Sequence, residues 1–260
     1  MASQGTGHLR VPMLLEQMAR ARHPQTLSQL ALRLRIPKTS LMRILASLAE
    51  AGYVLKLPDH RGYVLGPRAA RLTLTFLATQ EFSRSARAVL ADVVRATGET
   101  CNLNALEGQQ MRYLERVETT QRLRLTMAAG DLVPLHCTAS GKLALGMMTP
   151  QRRERVLRNL AMHRYTPQTI TDRQALEQEL ASVAKDPIGV DREEFVQGMV
   201  AVAVPVLNDK GAMIAALACH GPTARISMAD LHKHLPLMRR AAGDAARVLG
   251  GTGIPDLTGT

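Results

Sequence analysis

Residues 26–54, TLSQLALRLRIPKTSLMRILASLAEAGYV, leave few choices of fold. Thr26 and Gln29 stand at capping-box spacing, which starts a helix at residue 26. Leu27, Leu30, Ala31 and Leu34 follow at i, i+3, i+4 and i+7, one buried stripe. Pro37 suits the first turn of a second helix, Leu41, Ile44, Leu45 and Leu48 repeat the spacing, and Gly52 supplies the stop. With an amphipathic stretch around 11–20 ahead of them, two short helices joined by a tight turn read as a helix-turn-helix.

The second helix of that motif is the one that enters a major groove. Once its apolar stripe is turned inward, its outer face carries Lys38, Thr39, Ser40, Met42, Arg43 and Ser47. Lysine and arginine reach phosphates or guanine edges, and hydroxyls take either role. After Gly52, YVLKLPDHRGYVLG reads as strand, turn and strand, a hairpin wing that places Lys56, His60 and Arg61 where a wing meets DNA. Charge points the same way. The formal net charge is +11, and residues 1–80 hold eleven Lys or Arg against three acidic residues. A basic first third on a nearly neutral remainder implies nucleic acid as the partner of that third. With aromatics at 3% and no Trp, stacking platforms for single strands are poorly supplied, so duplex DNA is expected.

Residues 67–80 and 82–99 read as helices, the second with Ala86, Val89, Leu90, Val93 and Val94 on its core face. Beyond residue 100 the period changes: CNLNALEG, QMRYLERV and RLRLTMAAG read as strands. Helices are expected over 149–161 and 171–186, and buried strands in VAVAVPVLN and GAMIAALACHG around a DKG turn. A long final helix over 227–250 contains Pro236, a point of kinking or division. Strands with helices on at least one face make an α+β domain. The longest apolar stretch, VAVAVPVL, is far too short to span a bilayer. MASQGTGHLR lacks the apolar core of a signal peptide, and three widely spaced cysteines suit a reducing cytosol. No paired-cysteine metal spacing is present, and His232 and His234 point to different sides of a helix. No metal or cofactor is therefore expected.

One segment, HCTASGKLALG at 136–146, invites three chemical readings. A phosphate loop requires G-x-x-x-x-G-K-[ST]; with Gly141 and Lys142 as the GK, the first Gly falls on His136 and the hydroxyl on Leu143. A thiol nucleophile at Cys137 needs a base facing it, but His136 and Cys137 point to opposite faces of an extended segment. A bare cysteine is more often a small buried residue, and Ser140 lies in no nucleophile elbow. A helix start beside Thr138 or Ala139 remains, with free N–H donors and a dipole that favours a carboxylate.

The chain resembles the IclR family of bacterial transcriptional regulators over residues 8–250. The resemblance is carried by IPKTSLMRILASLAEAGYV, by LHCTASGKLALG and by DREEFVQGMVAVAVPVLNDKGAMIAALACHGPTAR. It implies an α+β two-domain protein: a winged helix-turn-helix over 1–66, a linker helix over 67–81, a GAF-like effector-binding domain over 82–250 and a disordered tail over 251–260. It implies an effector pocket lined by Thr138, Ala139, Ser140, Gly141, Asp191, Ala201, Ala218 and His220. It also implies a double-stranded operator, a small-molecule effector and self-association as a dimer or tetramer. Some members carry hydroxyls or a thiol where this chain has Ala201, Ala218 and His220. The two alanines cannot donate; His220 can, and an ordinary imidazole can charge near neutral pH. The expected function is a cytoplasmic regulator, repressor or activator, that senses a small organic acid or aromatic catabolite and is not an enzyme. The competing readings are a thiol hydrolase using Cys137 with an accessory DNA-binding domain, and a regulator whose second domain only assembles subunits.

Overall fold

In the computed structural model Thr26 caps helix α2 (Leu27–Leu34) through both halves of a capping box: its hydroxyl accepts from Gln29 N, and the Gln29 side chain accepts from Thr26 N. The structure describes residues 9–250 apart from 20, 22, 59–61, 70 and 73–79, and the chain divides into two units, Met1–Thr79 and Gln80–Thr260. In the first, α1 (Arg10–Ala19), α2 and α3 (Lys38–Glu50) enclose Leu14, Met18, Leu30, Ala31, Ile36, Leu41 and Leu45, with Val54 from β1. Pro37 is the N-cap of α3 rather than a residue of its first turn. The turn into α3 runs through Arg35, a non-glycine residue held in the left-handed region at φ 54°.

Strands β1 (Val54–Leu57) and β2 (Gly62–Leu65) pair antiparallel as the wing, and Gln25 adds a bridge to Tyr63. Gly62 is required there: at φ +101° a side chain is strained, and a Cβ would lie 2.6 Å from the Gln25 carbonyl oxygen. His60 and Arg61, expected at the wing tip, lie outside the described residues, as do most of the expected linker and the tail over 251–260.

The second unit is built on a six-stranded antiparallel sheet in the order β5-β4-β3-β8-β7-β6. Its strands are β3 (Thr100–Glu107), β4 (Gln110–Val117), β5 (Leu132–Pro134), β6 (Gly189–Arg192), β7 (Met199–Leu207) and β8 (Met213–Pro222). Helix α4 (Gln80–Thr97) packs on β3 and β4, and the final helix packs beside it on β7 and β8. The opposite face carries α5 (Ala139–Met147), which is covered in turn by α7 (Arg173–Lys185), with α6 (Pro150–Arg158) following α5 in sequence. Residues 139–146 of α5 are all buried, as a helix sandwiched between a sheet and another helix must be. No helix among the described residues is long and apolar enough to cross a membrane.

Two strand expectations change, and the expected division of the final helix is located. RLRLTMAAG forms no strand: the carbonyls of Leu123 and Leu125 accept from the guanidiniums of Arg225 and Arg116 instead of from a ladder partner. The four-residue strand β6 escapes detection because it is too short to show a period. The final helix divides at His234 into α8 (Met228–Lys233) and α9 (Leu235–Val248), with Pro236 in the first turn of α9.

Candidate effector site and DNA-binding face

Cross-strand register builds the floor of a cavity on the α5 face of the sheet. One row runs Asp191–Ala201–His220–Thr100, and the next runs Ala203–Ala218–Asn102–Arg116. Residues opposite one another in an antiparallel sheet share a face, so these rows group Ala201, Ala203 and Ala218 on one stretch of floor, flanked by Asp191, His220, Asn102 and Arg116. The wall is the start of α5. Thr138 caps that helix, accepting from Gly141 N at 3.1 Å and donating to Pro134 O at 2.7 Å. The cavity volume is about 40 Å³, which suits a small ligand, since one water needs roughly 10–15 Å³.

Of the expected effector residues, Thr138, Ala139, Ser140, Asp191, Ala201, Ala218 and His220 all line this cavity. Gly141 does not. It packs against Leu135, where a Cβ would lie 2.5 Å from that residue's Cα and carbonyl oxygen. The Thr138 hydroxyl spends its proton on Pro134 O while accepting from Gly141 N, so it offers the cavity no donor. Sequence reasoning missed Asn102, Asn104, Tyr113, Leu125 and Phe195, which also line the cavity, and Arg116 behind them.

A β-bulge explains the omission of Arg116. Asn104 pairs with Tyr113 and Leu103 with Glu115, so Leu114 is the extra residue and the alternation resets. Strict alternation from Met111 and Tyr113 would turn Glu115 toward the cavity and Arg116 away. Instead Glu115 meets Ser83 and Arg87 of α4, while Arg116, with its side chain only 4% exposed, joins the cavity face. Its Nη1 donates to Asn102 Oδ1 at 3.0 Å and contacts His220 Nε2 at 3.2 Å. Its Nε donates to Glu118 at 3.3 Å, its Nη2 donates to Leu125 O, and the guanidinium lies 5.9 Å from the Tyr113 ring centre. His220 is therefore not a site that charges near neutral pH. Burial and then the Arg116 charge push its pKa down to about 3, and the ring is a neutral donor. Two buried polar atoms here have no partner, His220 Nδ1 and Asn104 Oδ1.

Asp191 forms the far wall. Its Oδ1 accepts from Glu194 N at 2.7 Å, and burial raises its pKa to about 7, with the Glu194 charge adding to the rise and Lys142 opposing it. A carboxyl whose folded pKa lies above its unfolded value stabilises the fold while protonated, and that contribution fades as pH climbs through the folded value. Between about pH 6 and about pH 8 the protein is thus expected to lose about 1 kcal/mol through Asp191. Thermal melting of Asp191→Asn, set beside the unsubstituted chain, checks this: the variant's melting temperature should be flatter across that interval. Equal slopes would show that Asp191 is not the group that titrates.

Lys142, the lysine of the SGK triplet, is spent on internal ion pairs rather than offered to a phosphate. It is fully buried, with Nζ 2.5 Å from Glu194 and 3.1 Å from Glu179. Cys137 is also fully buried, its thiol pushed up well beyond the usual range by burial and the Asp191 and Glu194 charges. The neighbouring His136 places Nε2 2.9 Å from the His163 carbonyl, so it is no base for that sulfur. The hydrolase reading fails on these contacts.

On the first unit, Lys38, Thr39, Met42, Arg43 and Ser47 of α3 are exposed, as is Lys56 on β1, while Ser40 is half-buried. Ser40, Arg43 and Ser47 line one groove with Arg10 at the start of α1, a basic residue the sequence reading left out.

Comparison with known proteins bears on both units. The model "Bacterial transcriptional regulator IclR C-terminal" matches residues 74–247, and the IclR helix-turn-helix domain matches 9–58. The chain belongs to the IclR family. It is 35% identical over 239 residues to the probable transcriptional regulator SauR of Cupriavidus necator, covering 92% of this chain and 95% of that protein. The HTH-type transcriptional regulator BhcR of Paracoccus denitrificans is 31% identical over 224 residues, covering 86% of this chain and 79% of that one. The solved IclR of Thermotoga maritima aligns with TM-score 0.61 at 25% identity, over 94% of this chain and 98% of that one. This IclR-family chain is a transcriptional regulator with a DNA-binding helix-turn-helix and a small-molecule-binding domain of mixed α+β fold, and its relatives are regulators rather than enzymes.

Proposed function

We propose that this regulator senses a small organic acid or aromatic catabolite in the cavity beside α5, and that it acts in the cytoplasm as a dimer or tetramer. The observation that carries the reading is the pair of unpartnered buried atoms, His220 Nδ1 and Asn104 Oδ1, of residues that line a cavity at a helix N-terminus. Buried polar groups are normally satisfied, so orphans that line a cavity point to a ligand. The inducer-binding domain of PobR from Acinetobacter, solved as a double mutant with 3-hydroxybenzoic acid, supports an acid: it is 29% identical with TM-score 0.58, covering 62% of this chain and 95% of that one. Thr138, Ala139, Ser140, Asp191, Ala201, Ala218 and His220 hold the ligand, with Gly141 shaping the wall from behind.

Lys38, Thr39, Ser40, Met42, Arg43 and Ser47 face the major groove, with Lys56 and Arg61 at the wing. Residues 1–66 serve as the winged head, 67–81 as the linker helix and 82–250 as the effector domain. The effector favours one arrangement of the assembled subunits and so changes how paired heads match operator half-sites. Arg43→Ala tests the DNA side. Fluorescence anisotropy should show a loss of about 1–3 kcal/mol on an operator duplex and a much smaller loss on a random duplex. Equal losses on both would reduce Arg43 to a phosphate contact.

A further inference from the structure

Arginine presents only donors, five N–H groups in a rigid fork. Wherever Arg116 Nη1 meets His220 Nε2, that nitrogen must accept, and the proton of the neutral ring is held on Nδ1. The same Nη1 takes the carbonyl end of Asn102 and leaves the NH2 end as that side chain's other polar group. His220 Nδ1 is buried, lacks any partner, and belongs to a residue that lines the cavity. The guanidinium is itself occupied by Glu118 and by the Leu125 carbonyl, so it acts on the cavity through its two neutral neighbours.

We propose that Arg116 is a positioning residue of the effector site: by occupying the acceptor atoms of Asn102 and His220, it makes both residues present N–H donors to the cavity, where they hold the carboxylate of a small acid. The proposal rests on the effector-site reading above and adds the polarity that selects the ligand. A charged guanidinium one bond behind two neutral donors strengthens them, because hydrogen bonds in a chain polarise one another. It also avoids placing a bare cation among buried groups, where desolvation would oppose it. The alanines at 201 and 218 have no polar group to compete for the anion. Asp191, on the opposite wall, disfavours a second negative charge on the ligand.

The test uses the full-length protein with 15N-labelled histidine. Long-range proton–nitrogen correlation spectra should show His220, identified by its absence in His220→Asn, as the neutral Nδ1–H tautomer from about pH 5.5 to about pH 8. Sodium acetate and sodium 3-hydroxybenzoate are then compared with acetamide and 3-hydroxybenzamide at matched ionic strength. The acids should raise the melting temperature and move the His220 Nδ1–H resonance; the amides should do neither. Arg116→Met should lower acid affinity by about tenfold or more and release the tautomer. An Nε2–H tautomer in the unsubstituted protein overturns the proposal without any variant. Acids that bind Arg116→Met as well as the original chain overturn it too, and leave the effector reading standing. If neither acids nor amides move the melting temperature or any resonance, the effector reading falls with it.

Discussion

Gly189→Ala is expected to destabilise the second unit by about 3 kcal/mol or more and to abolish any ligand response. Gly189 opens β6 where that strand passes the first turn of α5. A Cβ there would fall deep inside the van der Waals radius of the Ala139 carbonyl oxygen, and 2.8 Å from Leu143 Cβ. Backbone cannot yield as a flexible side chain does, so α5 or β6 must move. Helix α5 is fixed by its Thr138 cap and by the Lys142 ion pair, and β6 carries Asp191, so either movement opens the cavity wall. Urea unfolding measures the loss. A cost under about 1 kcal/mol would mean that the wall gives way easily and that the site is not rigidly built.

Lys142→Met should be similarly damaging, at about 3–5 kcal/mol, because removing one partner of a buried ion pair strands the other. Glu194 is 3% exposed, and its second carboxylate oxygen already lacks a partner. Glu179 keeps Arg192 at 2.9 Å, so the loss falls chiefly on Glu194. Glu194 also holds the loop after β6: its carbonyl accepts from the Thr169 hydroxyl, and its N–H donates to Asp191. The double substitution Lys142→Met with Glu194→Leu removes both charges and should recover most of the stability. No recovery would show that the damage comes from lost packing rather than from an uncompensated charge.

The helix-turn-helix is legible in the sequence because its signals are local: a capping box, a repeat of three and four residues, a glycine stop. The wall of the cavity proposed as the effector site is legible for the same reason, since Thr138 caps α5 within one turn. What escaped depends on distant partners. Lys142 looks like a phosphate ligand beside Gly141, and only the 52-residue reach to Glu194 reveals an internal ion pair. Arg116 is hidden by a bulge that no periodicity announces, and its role depends on strands brought together from residues 102, 116 and 220. Asn102 and Asn104 did carry a signal, as two polar residues alternating within an otherwise buried strand. His220 reads from sequence as a donor, and only the fold shows that burial, with the Arg116 charge beside it, keeps the ring neutral.

The central claim is that a small acid in the cavity beside α5 changes DNA affinity. Anisotropy of a labelled operator duplex, titrated with the protein at saturating and at zero concentrations of an acid that raises its melting temperature, tests this most directly. Ala218→Leu, which fills the cavity floor, serves as the control. The account predicts an acid-dependent change in operator affinity of roughly 5–150-fold, the usual size of an allosteric coupling, and no such change in Ala218→Leu. An operator affinity indifferent to the bound acid, or an equal response in Ala218→Leu, would contradict it.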